Sequence, residues 1–104
     1  MSLLYILDKK GNPIPEKDPI LWAKWFGKYP ERRFLAKNKI GESLVSTVFL
    51  GIDHSCGNTT PLVFETMVFG GKQDGHQDKY RTKKEALEGH EKVIAMVELV
   101  EAQK

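Results

Sequence analysis

Leu44-Val45-Ser46-Thr47-Val48-Phe49-Leu50-Gly51-Ile52-Asp53-His54, then residues 55–61, then Leu62-Val63-Phe64-Glu65-Thr66-Met67-Val68-Phe69-Gly70-Gly71, decide how the chain folds. Two runs rich in β-branched and aromatic residues flank a short polar loop, the pattern of a β-hairpin. In the first run Val45, Thr47, Phe49 and Gly51 share one face; Ser46, Val48, Leu50 and Ile52 share the other. In the second, Val63, Glu65, Met67 and Phe69 alternate with Leu62, Phe64, Thr66 and Val68. Both faces are largely apolar. The pattern therefore predicts a central hairpin covered on both sides, by helices or by a partner chain.

Upstream, residues 3–7 (Leu-Leu-Tyr-Ile-Leu) read as a short strand, and Asp8, Gly11 and Pro13 supply a turn after it. Asp18-Pro19 opens a helix, with Asp18 as N-cap and Pro19 at the first helical position. Leu21, Trp22, Trp25 and Phe26 fall on one face of that helix, and Gly27 is its expected stop. After the break at Tyr29-Pro30, residues 32–40 read as an edge strand whose lysines discourage edge pairing. Gly41-Glu42 turns into the central hairpin.

Downstream, residues 70–81 are polar and glycine-containing and read as an exposed loop. Thr82-Lys83-Lys84-Glu85 is a capping box, which starts a helix expected to run to about residue 102. Ala86, Leu87, His90, Val93, Ile94, Val97 and Val100 or Glu101 follow the three-four spacing of a core-facing stripe. His90 on that stripe is expected to be a core or interface histidine rather than a ligand. At ~1.5 Å per residue such a helix spans ~30 Å, enough to cross a small sheet. These elements give an α+β domain. It has an antiparallel meander of three strands, a further N-terminal strand and two helices, the longer one C-terminal.

The 104 residues fit one domain, 1–104, with a single modest core. A domain of this size has a thin margin of stability, which homodimerisation would widen. The formal charge of +2 is close to neutral and does not by itself imply a nucleic-acid partner. Cys56 is the only cysteine, so an internal disulfide is excluded and a reducing, cytoplasmic setting is expected. No apolar run approaches the ~18 residues of a membrane span, and residues 3–7 are too few for a signal peptide.

Residues 46–54, Ser-Thr-Val-Phe-Leu-Gly-Ile-Asp-His, followed by residues 61–71, Pro-Leu-Val-Phe-Glu-Thr-Met-Val-Phe-Gly-Gly, resemble a family of small uncharacterised proteins encoded by bacteriophages and prophages. The resemblance extends to residues 5–8 with Gly11 and Pro13, to the Trp22 to Phe26 segment, and to Tyr80, Arg81, Thr82, Glu85, Ala86, Gly89 and His90. It implies a phage or prophage origin and an accessory role in the cytoplasm of a bacterial host. It implies no reaction, cofactor or site.

Three stretches carry candidate chemistry. Asp53, His54 and Cys56 place a carboxylate, an imidazole and a thiol within four residues, ligand types used by Zn and other divalent ions. His76 and Asp78 join them only if the fold brings two loops together. Asp53 also suits capping of its own loop. Glu65 in an apolar run is either a general base working with His54 or one half of a cross-strand ion pair with Arg33, Lys37 or Lys39. Residues 9–40 carry nine basic and three acidic side chains, which suggests nucleic-acid contact through Arg32, Arg33, Lys37 and Lys39. Against it, Trp22, Trp25 and Phe26 lie on the face expected to pack on the sheet. Gly70-Gly71-Lys72-Gln73-Asp74-Gly75 lacks the phosphate-loop spacing. The leading expectation is a non-enzymatic module that meets a host or phage protein, or a second copy of itself, through uncovered hairpin surface. The alternatives are a metal-dependent hydrolase or nuclease using Asp53, His54 and Glu65, and a nucleic-acid-binding protein using the basic segment 32–39.

Overall fold

The computed structural model describes residues 3–55 and 60–103. In chain order the elements are β1 (Tyr5–Leu7), β2 (Pro13–Pro15), α1 (Pro19–Lys28), α2 (Pro30–Arg33), β3 (Phe34–Ile40), β4 (Ser43–Phe49), β5 (Phe64–Phe69), β6 (Gln77–Tyr80) and α3 (Lys83–Ala102). The main sheet is the antiparallel meander β3-β4-β5-β6, and β1 with β2 forms a separate two-stranded ribbon. The fold is α+β, with the longest helix last.

Alternation in the hairpin decides which face is closed. Ser43, Val45, Thr47 and Phe49 of β4 are buried, as are Phe64, Thr66 and Val68 of β5. The register pairs Val45 with Val68, Thr47 with Thr66 and Phe49 with Phe64, so these residues share one inner face. On it α3 lays Ala86, Gly89, His90, Val93 and Val97. Thr82 accepts the Glu85 backbone N–H at 3.1 Å, which starts the helix as the capping box predicts.

The aromatic face of α1 closes the other end of the core. Trp25 meets Phe49 edge-on at 5.8 Å, and Phe49 meets Phe64 at 5.4 Å. Trp22 Nε1 donates to the carbonyls of Tyr5 and Gly51 at 3.1 and 3.0 Å, tying α1 to β1 and to the segment after β4. Gly51 has φ 76°, and the Phe26 ring fills the space where a Cβ would stand. Only glycine meets both conditions without strain.

The structure departs from the sequence reading in five places. The first strand pairs with β2 and not with the meander; prolines 13 and 15 leave β2 with few donors, which suits a peripheral ribbon. Residues 77–80 form a fourth strand rather than loop, since Gln77, Asp78, Lys79 and Tyr80 pair with Met67, Thr66, Glu65 and Phe64. Arg32 and Arg33 are not on a strand; Pro30, pre-set for a first helical turn, begins the short α2 that carries them. Gly27 lies inside α1, which ends a residue later with Tyr29 as C-cap. Leu21 and Leu87, assigned to buried stripes, are exposed because each lies at the margin of its helix face.

Two helical glycines give opposed predictions. A Cβ on Gly89 would collide with the Tyr80 ring, whereas nothing lies within 4 Å of one on Gly27. Gly89→Ala is expected to destabilise by the ~1–3 kcal/mol of an overpacked site. Gly27→Ala is expected to stabilise by ~0.5–1 kcal/mol through the gain in helix propensity. Calorimetric unfolding of both variants checks this; midpoint shifts of the same sign would mean that Tyr80 does not stand against α3.

Candidate functional site

The core is two apolar clusters separated by a polar layer. Leu7, Trp25, Phe49, Val63, Phe64 and Ala86 form one cluster, and Val45, Val68, Val93 and Val97 the other. Between them run Thr66, Thr47, His90 and Asn38. Thr66 Oγ1 lies 2.5 Å from Thr47 Oγ1, Thr47 Oγ1 lies 2.6 Å from His90 Nδ1, and His90 Nε2 lies 2.8 Å from Asn38 Oδ1. With Asn38 Oδ1 accepting, Nε2 carries the imidazole proton, Nδ1 accepts from Thr47, and Thr47 accepts from Thr66. Tyr80 Oη ends the row beside the Thr66 hydroxyl. Burial raises the Tyr80 phenol above its ordinary value, and Thr66 offsets part of that rise.

Hydroxyl, imidazole and amide in a row have the order of a nucleophile, its base and an orienting group. A reacting group has to be reached, however, and Thr47 and Thr66 are 0% and His90 1% exposed. The row therefore acts on the fold, holding α3 to β3, β4 and β5. Burial pushes the His90 imidazole below its ordinary value, with the Glu91 carboxylate acting in the opposite sense.

The opposite face of the sheet is the more open one. Strand register places Phe34 beside Val48, Lys37 beside Ser46, and Lys39 beside Leu44. It continues with Leu44 beside Phe69, Ser46 beside Met67, and Val48 beside Glu65. Phe34 is 57% and Phe69 48% exposed, while Leu44, Val48 and Met67 are half-buried. Cover on both faces, by helices or by a partner chain, was the expectation; within the chain α3 lies on the inner face alone, because the polar row has its partners there.

Glu65 belongs to this outer face. It pairs with Lys79 of β6 at 3.2 Å, not with Arg33, Lys37, Lys39 or His54. Lys37 and Lys39 project from β3 and are exposed. The arginines are used within the fold. Arg32 Nη2 donates to the backbone carbonyls of Leu7 and Asp8, and its guanidinium lies over the rings of Trp25 and Tyr29 at 5.7 and 5.5 Å. Arg33 sits between Phe26 and Phe34, 4.7 and 5.6 Å from their ring centres.

Asp53 caps its own loop, accepting backbone N–H groups of Ser55 at 2.8 Å and Leu62 at 3.1 Å. Burial alone would raise its carboxyl; the Ser55 hydroxyl and these backbone donors outweigh that and hold it below the usual carboxylate range. His54 is exposed beside it. Cys56 lies outside the described residues. His76 bonds Asp78 at 2.8 Å. Its carbonyl accepts from Val68, so it stands at the end of β5 away from Asp53 and His54. Among the described residues, no three His, Cys, Asp or Glu side chains are grouped to hold a metal ion, and no helix is long and apolar enough to cross a membrane. Sequence reasoning missed Asn38, Thr47 and Thr66 as partners of His90; two threonines at paired inner-face positions were the available signal.

The chain matches no family model, no curated protein and no solved structure.

The His90 environment predicts a direction of pH dependence. Above the ordinary pKa of 6.5 both folded and unfolded chains hold a neutral imidazole, and the full stability is present. Below it the unfolded chain takes up a proton that the folded chain refuses, so stability falls until the lower folded pKa is passed. Urea unfolding across this range should show that fall. His90→Phe should be less stable at high pH, by ~1–3 kcal/mol for each buried partner left unpaired, and flatter with pH. An unchanged pH slope in His90→Phe would exclude His90 as the source.

Proposed function

We propose that this protein is a non-enzymatic interaction module that docks another protein on the outer face of its four-stranded sheet. The observation that carries the reading is the patch of Phe34, Leu44, Val48, Met67 and Phe69, with two of its aromatics about half exposed. Resemblance of residues 46–54 and 61–71 to proteins of phages and prophages supports an accessory role in that setting.

Charge selects the occupant. Lys79 is matched by Glu65 on this face, while Lys37 and Lys39 have no carboxylate partner among the described residues. An apolar surface rimmed by Asp and Glu complements this arrangement. Pairing of two copies face to face would bring a cationic surface against its like. The partner is therefore a different protein with an acidic rim. Both sheet edges are unattractive to an added strand, since β3 carries lysines and β6 is short and charged.

The test is capture from bacterial lysate by the tagged chain and three variants, each checked for folding by circular dichroism. A discrete protein should be retained after nuclease treatment by wild type and by Leu99→Glu, which alters an exposed residue of α3. It should be lost with Met67→Glu/Phe69→Glu and weakened, more so in added salt, with Lys37→Glu/Lys39→Glu. Equal capture by all four proteins, or recovery abolished by nuclease, would overturn the reading. So would a dimer in light scattering that Met67→Glu/Phe69→Glu dissociates, because a second copy would then own the face.

A further inference from the structure

We propose a second site: the cleft between the β1–β2 turn, α2 and the first turn of α3 binds a small phosphate-bearing ligand with a flat apolar group, the chemistry of a mononucleotide. The inference goes beyond the outer-face reading and shares only Phe34 with it. The cleft has a volume of about 210 Å³. That is below the roughly 300–1,000 Å³ of a drug-sized site; it takes the phosphate and sugar, and the flat group lies at the open mouth against Phe34.

Four cations converge on this cleft from three separate stretches of chain. Lys9 and Lys10 come from the turn, Arg32 from α2 and Lys83 from α3, with Glu31 as the carboxylate of the lining. None of the three lysines is in an ion pair among the described residues. The three lysines are exposed, and a phosphate dianion entering the cleft would draw on their charge together with that of Arg32.

The frame of the site is set before a ligand arrives. Asp8 accepts the backbone N–H groups of Lys10 and Asn12, each at 2.9 Å, and so shapes the turn that carries two of the lysines. The Asn12 backbone donor is the main reason that the Asp8 carboxyl is held below its usual range, so it stays an anion committed to the turn. Arg32 is fixed by the carbonyls of Leu7 and Asp8 and by the rings of Trp25 and Tyr29. The stem of Lys83 crosses Gly11, its Cδ 3.0 Å from where a Cβ would stand. Gly11 has φ 87°, so both conformation and close approach keep the position bare. Leu7, Phe34 and Leu35 supply the apolar wall, and the exposed Phe34 ring offers a face for a flat group.

Titration calorimetry of the full chain tests the site, with inorganic phosphate, adenosine monophosphate and an oligothymidylate as probes. Lys10→Gln and Lys83→Gln remove two of the cations; Lys24→Gln, on an exposed part of α1 outside the cleft, is the charge-matched control. Adenosine monophosphate should bind more tightly than phosphate. Each cleft variant should weaken it roughly tenfold, the worth of one charge-assisted hydrogen bond. Lys24→Gln should leave it unchanged. No binding of either small probe, or binding indifferent to Lys10→Gln and Lys83→Gln, would overturn the proposal. Binding of the oligothymidylate alone would overturn it in favour of a polyanion surface. Phosphate bound as tightly as adenosine monophosphate would overturn the apolar half of it.

Discussion

The row from Thr66 through Thr47 and His90 to Asn38 is the constraint on which the rest of the arrangement depends. Apolar side chains alone would let α3 slide along the inner face, because valine against valine is much the same one turn along. A slide of one turn, ~5.4 Å, would take His90 from both its partners and leave buried hydroxyl, imidazole and amide groups unpaired. Each such loss is of the order of 1–3 kcal/mol, a large part of what holds a domain of this size together. The polar layer thus costs some apolar burial and selects one helix position.

That position has consequences at both ends of α3. At its start, Lys83 is carried over Gly11 and joins the cations of the β1–β2 turn and α2. Near its end, Glu101 accepts from Ser43 Oγ at 3.2 Å and from the Lys72 backbone N–H at 3.4 Å, pinning the β5–β6 connection. Across the sheet, the same choice leaves Phe34, Met67 and Phe69 without a covering helix. The inner face is consumed by the fold. The outer face and the basic cleft stay open to solvent.

Much of the fold was legible because its signals are local. Asp18 caps α1 by accepting from Ile20 at 2.9 Å, and Thr82 with Glu85 caps α3, both as residue type and spacing require. The hairpin faces followed from period-two alternation. What was not legible needed partners distant in sequence. Strand β6 is Gln-Asp-Lys-Tyr, with little intrinsic preference for a strand; pairing with β5, the Lys79–Glu65 contact and a half-buried Tyr80 hold it there. Which hairpin face α3 would cover was open, since both are apolar, and His90 decided it by meeting Thr47. The basic cleft draws on residues 9–10, 32 and 83, and no window of sequence contains it.

Carbene footprinting of the free chain in dilute solution, read by mass spectrometry, measures the difference between the two faces directly. Phe34, Met67 and Phe69 should be labelled, while Val45, Phe64 and Val68 stay protected. Labelling at Phe64 and Val68 with protection at Met67 and Phe69 would contradict the assignment of a locked inner face and an open outer one, and with it the docking surface.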